Sequence, residues 1–191
     1  MLSKRQQQII EASVRLIDEK GIQGFTIKNL SGEIGISESA IYRHFDSKVM
    51  ILSAVLDTFK QKVDEYYKSL KDKKDIPAEE QIHEFFSMVF KLFTSNPALI
   101  SVIFAEEIFQ NEPALTIKVL ELQAVNEKIV KEMIKGMSLN SKLSNSDSEE
   151  ITIILSGSVR LLVSKWKMSN SSFNLIEGGE KLINTILKLM K

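Results

Sequence analysis

The chain has 191 residues, is 43% hydrophobic and carries no formal net charge, with 25 Lys/Arg against 25 Asp/Glu. That leaves room for one large domain or two small ones sharing a core, and it excludes a globally basic nucleic-acid coat. The lack of cysteine excludes disulfides and thiolate sites, and with only His44 and His83 there is little material for a histidine-based triad or His-rich metal centre. No catalytic residue, metal site or cofactor is therefore expected. The first 50 residues hold seven Lys/Arg and six Asp/Glu, so any DNA binding must come from the placement of a few cations.

In chain order, a first helix is predicted over about residues 3–20, with Ile9, Ile10, Ser13, Leu16 and Ile17 toward the core and Gly21 as its stop. Residues 26–48, TIKNLSGEIGISESAIYRHFDSK, then read as two short helices joined by a tight turn and the start of a longer one. Ile27, Leu30 and Ile34 share one face of a helix capped by Thr26. Gly35 suits a left-handed position, and Ser37 caps the next helix with Glu38 at its positive end. Ile36 and Ile41 have the spacing of a hydrophobic staple. This is the pattern of a helix-turn-helix whose second helix enters a major groove. Lys48 follows the cap candidates Asp46 and Ser47, where a cation is locally unfavourable but suits a phosphate oxygen.

Every later segment also reads as helix. A fourth runs from Lys48 to about Lys71, roughly 36 Å long. Pro77, Pro97 (after the cap candidate Asn96) and Pro113 mark helix starts, giving helices near 77–95, 97–110 and 113–136 with Gly136 as a stop. The polar run near 138–148 leads, through a Ser146–Glu149 capping box, into a helix over about 147–168 that carries Ile151, Ile154, Leu155, Leu162, Val163 and Trp166. A last helix carries Leu182, Ile183, Ile186, Leu187 and Met190. The expected fold class is all-α, about nine helices. Residues 1–50 would form a three-helix DNA-binding domain, and residues 51–191 a helical domain for effector binding and dimerisation. Lys4, Arg5, Glu11 and Arg15 interrupt any early apolar run, and Ala98–Ala105 is too short to span a bilayer, so a soluble cytoplasmic protein without membrane association is expected.

Residues 5–52 resemble the DNA-binding domain of the TetR family of bacterial and archaeal repressors, from RQQQIIEASVRLIDEKGIQGFTI through LSGEIGIS and AIYRHF to SKVMIL. The spacing of Gly21, Gly24, Thr26, Gly35, Ser37, Tyr42, His44, Phe45 and Lys48 agrees with the family pattern. Beyond residue 60 the likeness thins to helix count and length. Ser31 and Ile34 depart from the family's usual alanines, and Gly32 stands inside a helix at a cost of about 1 kcal/mol relative to Ala.

The resemblance implies that Thr26 and Tyr42 contact phosphates, although Tyr42 also suits a half-buried packing role. Ser39, Ala40 and Arg43 are candidates to face base edges; Arg43 suits either guanine O6/N7 or a phosphate. Ser37, His44 (otherwise a packing residue), Lys28 and Lys48 complete the candidate DNA surface, with Lys4 and Arg5 as further backbone contacts. Ser156-Gly157-Ser158 permits close helix approach, and the resemblance implies a dimer interface on the last two helices, with Ile154, Gly157, Leu161, Leu162, Leu182 and Ile186 as candidates. A double-stranded operator and a second copy of the chain are thus the expected partners.

Phe85, Phe86, Phe90, Phe93, Phe104 and Phe109 crowd residues 85–109, with Met88 and Met133 as adaptable neighbours. At helical spacing such residues form a core as readily as a ligand box. The resemblance implies a pocket for a small apolar or aromatic effector, for which Phe86, Phe90, Phe104, Phe109 and Met133 are the candidate lining and Glu106, Glu107 and Asn126 candidate polar ends. The rival reading is an adaptor with the same fold that acts through a protein partner and needs no inducer.

Overall fold

The computed structural model describes residues 2–73, 76–104, 112–138 and 147–190, and every regular element among them is an α-helix. There are nine: α1 (Lys4–Gly24), α2 (Ile27–Ile34), α3 (Glu38–Tyr42), α4 (Lys48–Asp72), α5 (Ala78–Ser95), α6 (Ala98–Ile103), α7 (Pro113–Ser138), α8 (Asp147–Met168) and α9 (Leu175–Leu189). The all-α expectation is met. Phe109, Glu106, Glu107 and the Ser146 cap lie outside the described residues.

The helices fall into two compact units: residues Met1–Gln61 with Asn96–Leu122, and Lys62–Ser95 with Gln123–Lys191. In the first, α1 packs on both α2 and α6. Its apolar stripe is the predicted one: Ile9, Ile10, Ser13, Leu16 and Ile17 are all buried, and the Ser13 hydroxyl is satisfied by donating to the Ile9 carbonyl at 2.7 Å. Gly21 does not stop the helix but kinks it. Its φ of 70°, open to a residue without Cβ, breaks the ladder before the chain regains helix to Gly24. Lys118 pairs with Asp57 at 3.0 Å, joining α7 to α4 within this unit.

In the second unit α9 packs on α5 and on α8. Phe85, Phe86, Phe90 and Phe93 bury one face of α5. Gly179 of α9 meets Phe90 so closely that a Cβ there would stand 2.2–2.5 Å from three ring carbons. Gly136, expected as a stop, lies inside α7; a Cβ at that position would come within 3.3 Å of the Ala78 Cβ, so the glycine serves close helix approach. The α8–α9 turn places Asn170 and Ser171 in the left-handed region (φ 52° and 60°), and the Trp166 indole N–H pins it by donating to the Phe173 carbonyl at 3.0 Å. The Tyr67 hydroxyl donates to the Glu132 carboxylate at 2.9 Å, and Lys71 reaches the same oxygen at 3.1 Å. Among the described residues no helix is long and apolar enough to cross a membrane.

Candidate nucleic-acid interface

Local sequence builds the reading head. Thr26 caps α2 by accepting from the Asn29 N–H at 3.1 Å, and Asn29 in turn donates to the Gly24 carbonyl at 2.8 Å. Gly35 then takes the left-handed conformation (φ 73°, ψ 35°), and its N–H closes α2 on the Ser31 carbonyl. Only a residue free of Cβ strain holds that geometry cheaply. Ser37 caps α3 by accepting from the Ala40 N–H at 3.2 Å. Ile41 is fully buried and Phe45 nearly so, which turns the opposite face of α3 outward. Of the departures from the family pattern, the buried Ser31 hydroxyl is satisfied by donating to the Lys28 carbonyl at 2.9 Å, while the open space around the Gly32 Cβ position means that packing does not require a glycine there.

Within this unit the outward face holds the predicted residues. Ser37, Ser39, Tyr42, Arg43 and His44 are exposed and Ala40 is half-buried. Tyr42 is 47% exposed, so about half of its surface is open to solvent. Ser39 is 2.9 Å from Ser37 through their hydroxyl oxygens, so its position is fixed by the cap. Thr26 and Lys28 are exposed on α2.

Lys48 is half-buried at the first position of α4, which Ser47 caps by accepting from the Met50 N–H at 3.2 Å. Its Nζ stands 5.3 Å from the centre of the Phe25 ring. Burial holds the Lys48 pKa below the usual lysine value, partly offset by Glu112. A phosphate beside the ammonium would favour its charged form.

Gln6 was not among the predicted residues. Its side chain accepts from the Ser3 N–H at 2.9 Å and donates to the His44 carbonyl at 3.2 Å. The first bond was legible as the capping-box spacing Ser3–Gln6; the second spans 38 residues and carries no sequence signal.

The remaining candidates lie elsewhere. On α8, Ile154 is 54% and Leu161 57% exposed, with Gly157 open beside them. Leu162 and Leu182 are half-buried, and Ile186 is buried. Phe86, Phe90 and Met133 are buried in the second unit, Phe104 is half-buried in the first, and Asn126 is half-buried. An open cleft of about 950 Å³ in the second unit is lined by other, polar residues, among them Tyr66, Glu79, Glu80, His83, Glu84 and Glu180.

Comparison with known proteins matches two stretches of the chain. The family described as bacterial regulatory proteins, tetR family, matches residues 9–55. The family described as MAATS-type transcriptional repressor, C-terminal region, matches residues 80–191, more than half of the chain. The nucleoid occlusion factor SlmA of Mannheimia succiniciproducens is 29% identical over 142 residues, 71% of this chain and 65% of that protein. The chain thus spans about two thirds of that relative's length. The HTH-type transcriptional regulator CymR of Pseudomonas putida is 26% identical over 190 residues, 97% of this chain and 89% of that one. The transcriptional regulator FadR from Bacillus subtilis, solved in complex with stearoyl-CoA, superposes with a TM-score of 0.74 at 22% identity, covering 96% of each chain.

Proposed function

The chain belongs to the TetR family of bacterial regulatory proteins, DNA-binding regulators of transcription, and from that premise we propose a cytoplasmic repressor that binds a near-palindromic operator as a homodimer and is released by a small apolar or aromatic effector. In this reading residues 1–50 contact DNA and residues 51–191 serve effector binding and dimerisation. The observation that carries it is the exposed row Ser39, Tyr42 and Arg43 on a helix entered through Gly35 and Ser37, with Lys48 at the next helix start. Thr26, Lys28, Ser37, Tyr42, His44 and Lys48 take backbone phosphates; Ser39, Ala40 and Arg43 face base edges.

A five-residue reading helix needs a second half-site for useful affinity, about one helical turn away or 34–36 Å. The apolar surface of Ile154 and Leu161 around Gly157 supports the second copy, with the less exposed Leu162, Leu182 and Ile186 on the same two helices. Sedimentation of the purified protein at micromolar concentration, with and without DNA, tests this: a monomer in both conditions would sink it.

Release requires an effector that binds the non-DNA conformation more tightly than the DNA-competent one. The phenylalanine-rich face of α5, with Phe86, Phe90 and Met133 all buried in the same unit, supports an apolar or aromatic ligand that opens this interior. A second reading, an adaptor acting through a protein partner, is favoured by Ile117 and Leu120, 56% and 57% exposed on α7. The discriminating measurement is operator affinity across a panel of apolar and aromatic compounds: release by none of them would favour the adaptor.

A further inference from the structure

With five residues, α3 is too short to hold its own geometry. Its entry is set by Gly35 and the Ser37 cap. At its exit the His44 and Phe45 N–H groups both return to the Ile41 carbonyl, at 2.8 and 3.1 Å, and the carbonyls that follow must find donors elsewhere. The His44 carbonyl finds the Gln6 carboxamide. The orientation of that amide is unambiguous, because its oxygen accepts from the Ser3 N–H while its nitrogen donates to His44, and a flipped amide would satisfy neither.

We propose that Gln6 is a positioning residue for DNA reading, a clamp between the first turn of α1 and the exit of α3. This rests on the DNA-binding reading above. The clamp fixes the angle at which Arg43 and His44 are presented. It also holds Lys4 and Arg5, the two exposed cations of that first turn, beside the end of the reading helix. Gln6 touches no base itself; it acts by denying α3 the freedom to tilt.

The test compares three variants of the full chain. Gln6→Glu keeps an acceptor for the Ser3 N–H, since glutamate serves the capping box equally well, and loses only the donor to His44. Gln6→Met is uncharged and loses both bonds. Gln7→Glu adds the same charge one residue along, on an exposed side chain, and touches neither bond. Two readouts follow: amide exchange at His44 and Phe45 in the free protein, and the ratio of affinities for a duplex enriched from a random pool and a random-sequence duplex. Gln6→Glu and Gln6→Met should each speed exchange and lower the specificity ratio by about 3- to 10-fold, the range expected for one net hydrogen bond. Gln7→Glu should move neither, and Gln6→Glu should melt within about 5 °C of wild type. If Gln6→Glu matches Gln7→Glu in either readout, the clamp is refuted. If the wild-type protein prefers no duplex, the DNA-reading premise fails and the proposal with it; the exchange data, which need no DNA, separate that failure from failure of the clamp.

Discussion

Gly179→Ala is the sharpest test of how the second unit is packed. The new Cβ would stand 2.2, 2.4 and 2.5 Å from three carbons of the Phe90 ring, where ordinary contact is about 3.5–4.0 Å. The ring or the helix must therefore retreat by more than an ångström. Phe90 is fully buried, so its ring has no solvent to move into. Overpacking of this kind costs about 1–3 kcal/mol, while replacing a helical glycine by alanine returns up to about 1 kcal/mol. The expected net effect is a loss of about 1–2 kcal/mol, read as a lower urea midpoint with an unchanged slope at fixed protein concentration. Gly32→Ala supplies the matched control. It also lies in a helix, nothing is within 4 Å of its Cβ position, and it should gain about 0.5–1 kcal/mol. Gly179→Ala that behaved like Gly32→Ala would refute the contact. Adding Phe90→Leu should recover part of the loss, because a smaller side chain vacates the same space.

Three further outcomes are expected. Lys48→Ala should weaken binding to every duplex and flatten the salt dependence by about one unit per reading head, whereas Arg43→Ala should also change the preferred sequence; a titration series in salt against two duplexes separates them. Leu161→Asp should leave helix content by circular dichroism intact but shift sedimentation toward a monomer and lower operator affinity, because a carboxylate in an apolar helix seam is left unpaired. The Glu132 carboxyl is held below its usual range by the Tyr67 hydroxyl first and the Lys71 ammonium second. Its contribution to stability is therefore full above its unfolded value of about 4.3 and is lost as pH falls through the lower folded value. Glu132→Gln should consequently flatten the stability–pH curve on the acid side of the unfolded glutamate value, measured by urea unfolding.

Much of the reading head was legible because local rules built it. Thr26, Gly35, Ser37 and Ile41 each act within a few residues of their own position, through a cap, a left-handed turn or a buried face, and such signals survive in a linear string. What escaped acts over distance. Gln6 reaches His44 across 38 residues, and no periodicity marks that bond. Gly136 and Gly21 were read as stops because glycine disfavours helix; in the structure one permits helix approach and the other a kink, a choice made by packing. The phenylalanines of α5 showed the same ambiguity, since helical spacing is identical for a core and for a pocket wall.

Selection of duplexes from a random pool by the purified protein, followed by a salt titration on the winner, tests the central claim most directly. A near-palindromic winner bound by two protomers, far more tightly than random DNA and with a steep salt dependence, is the predicted result. Enrichment of nothing, with weak binding equal for all sequences, would contradict it.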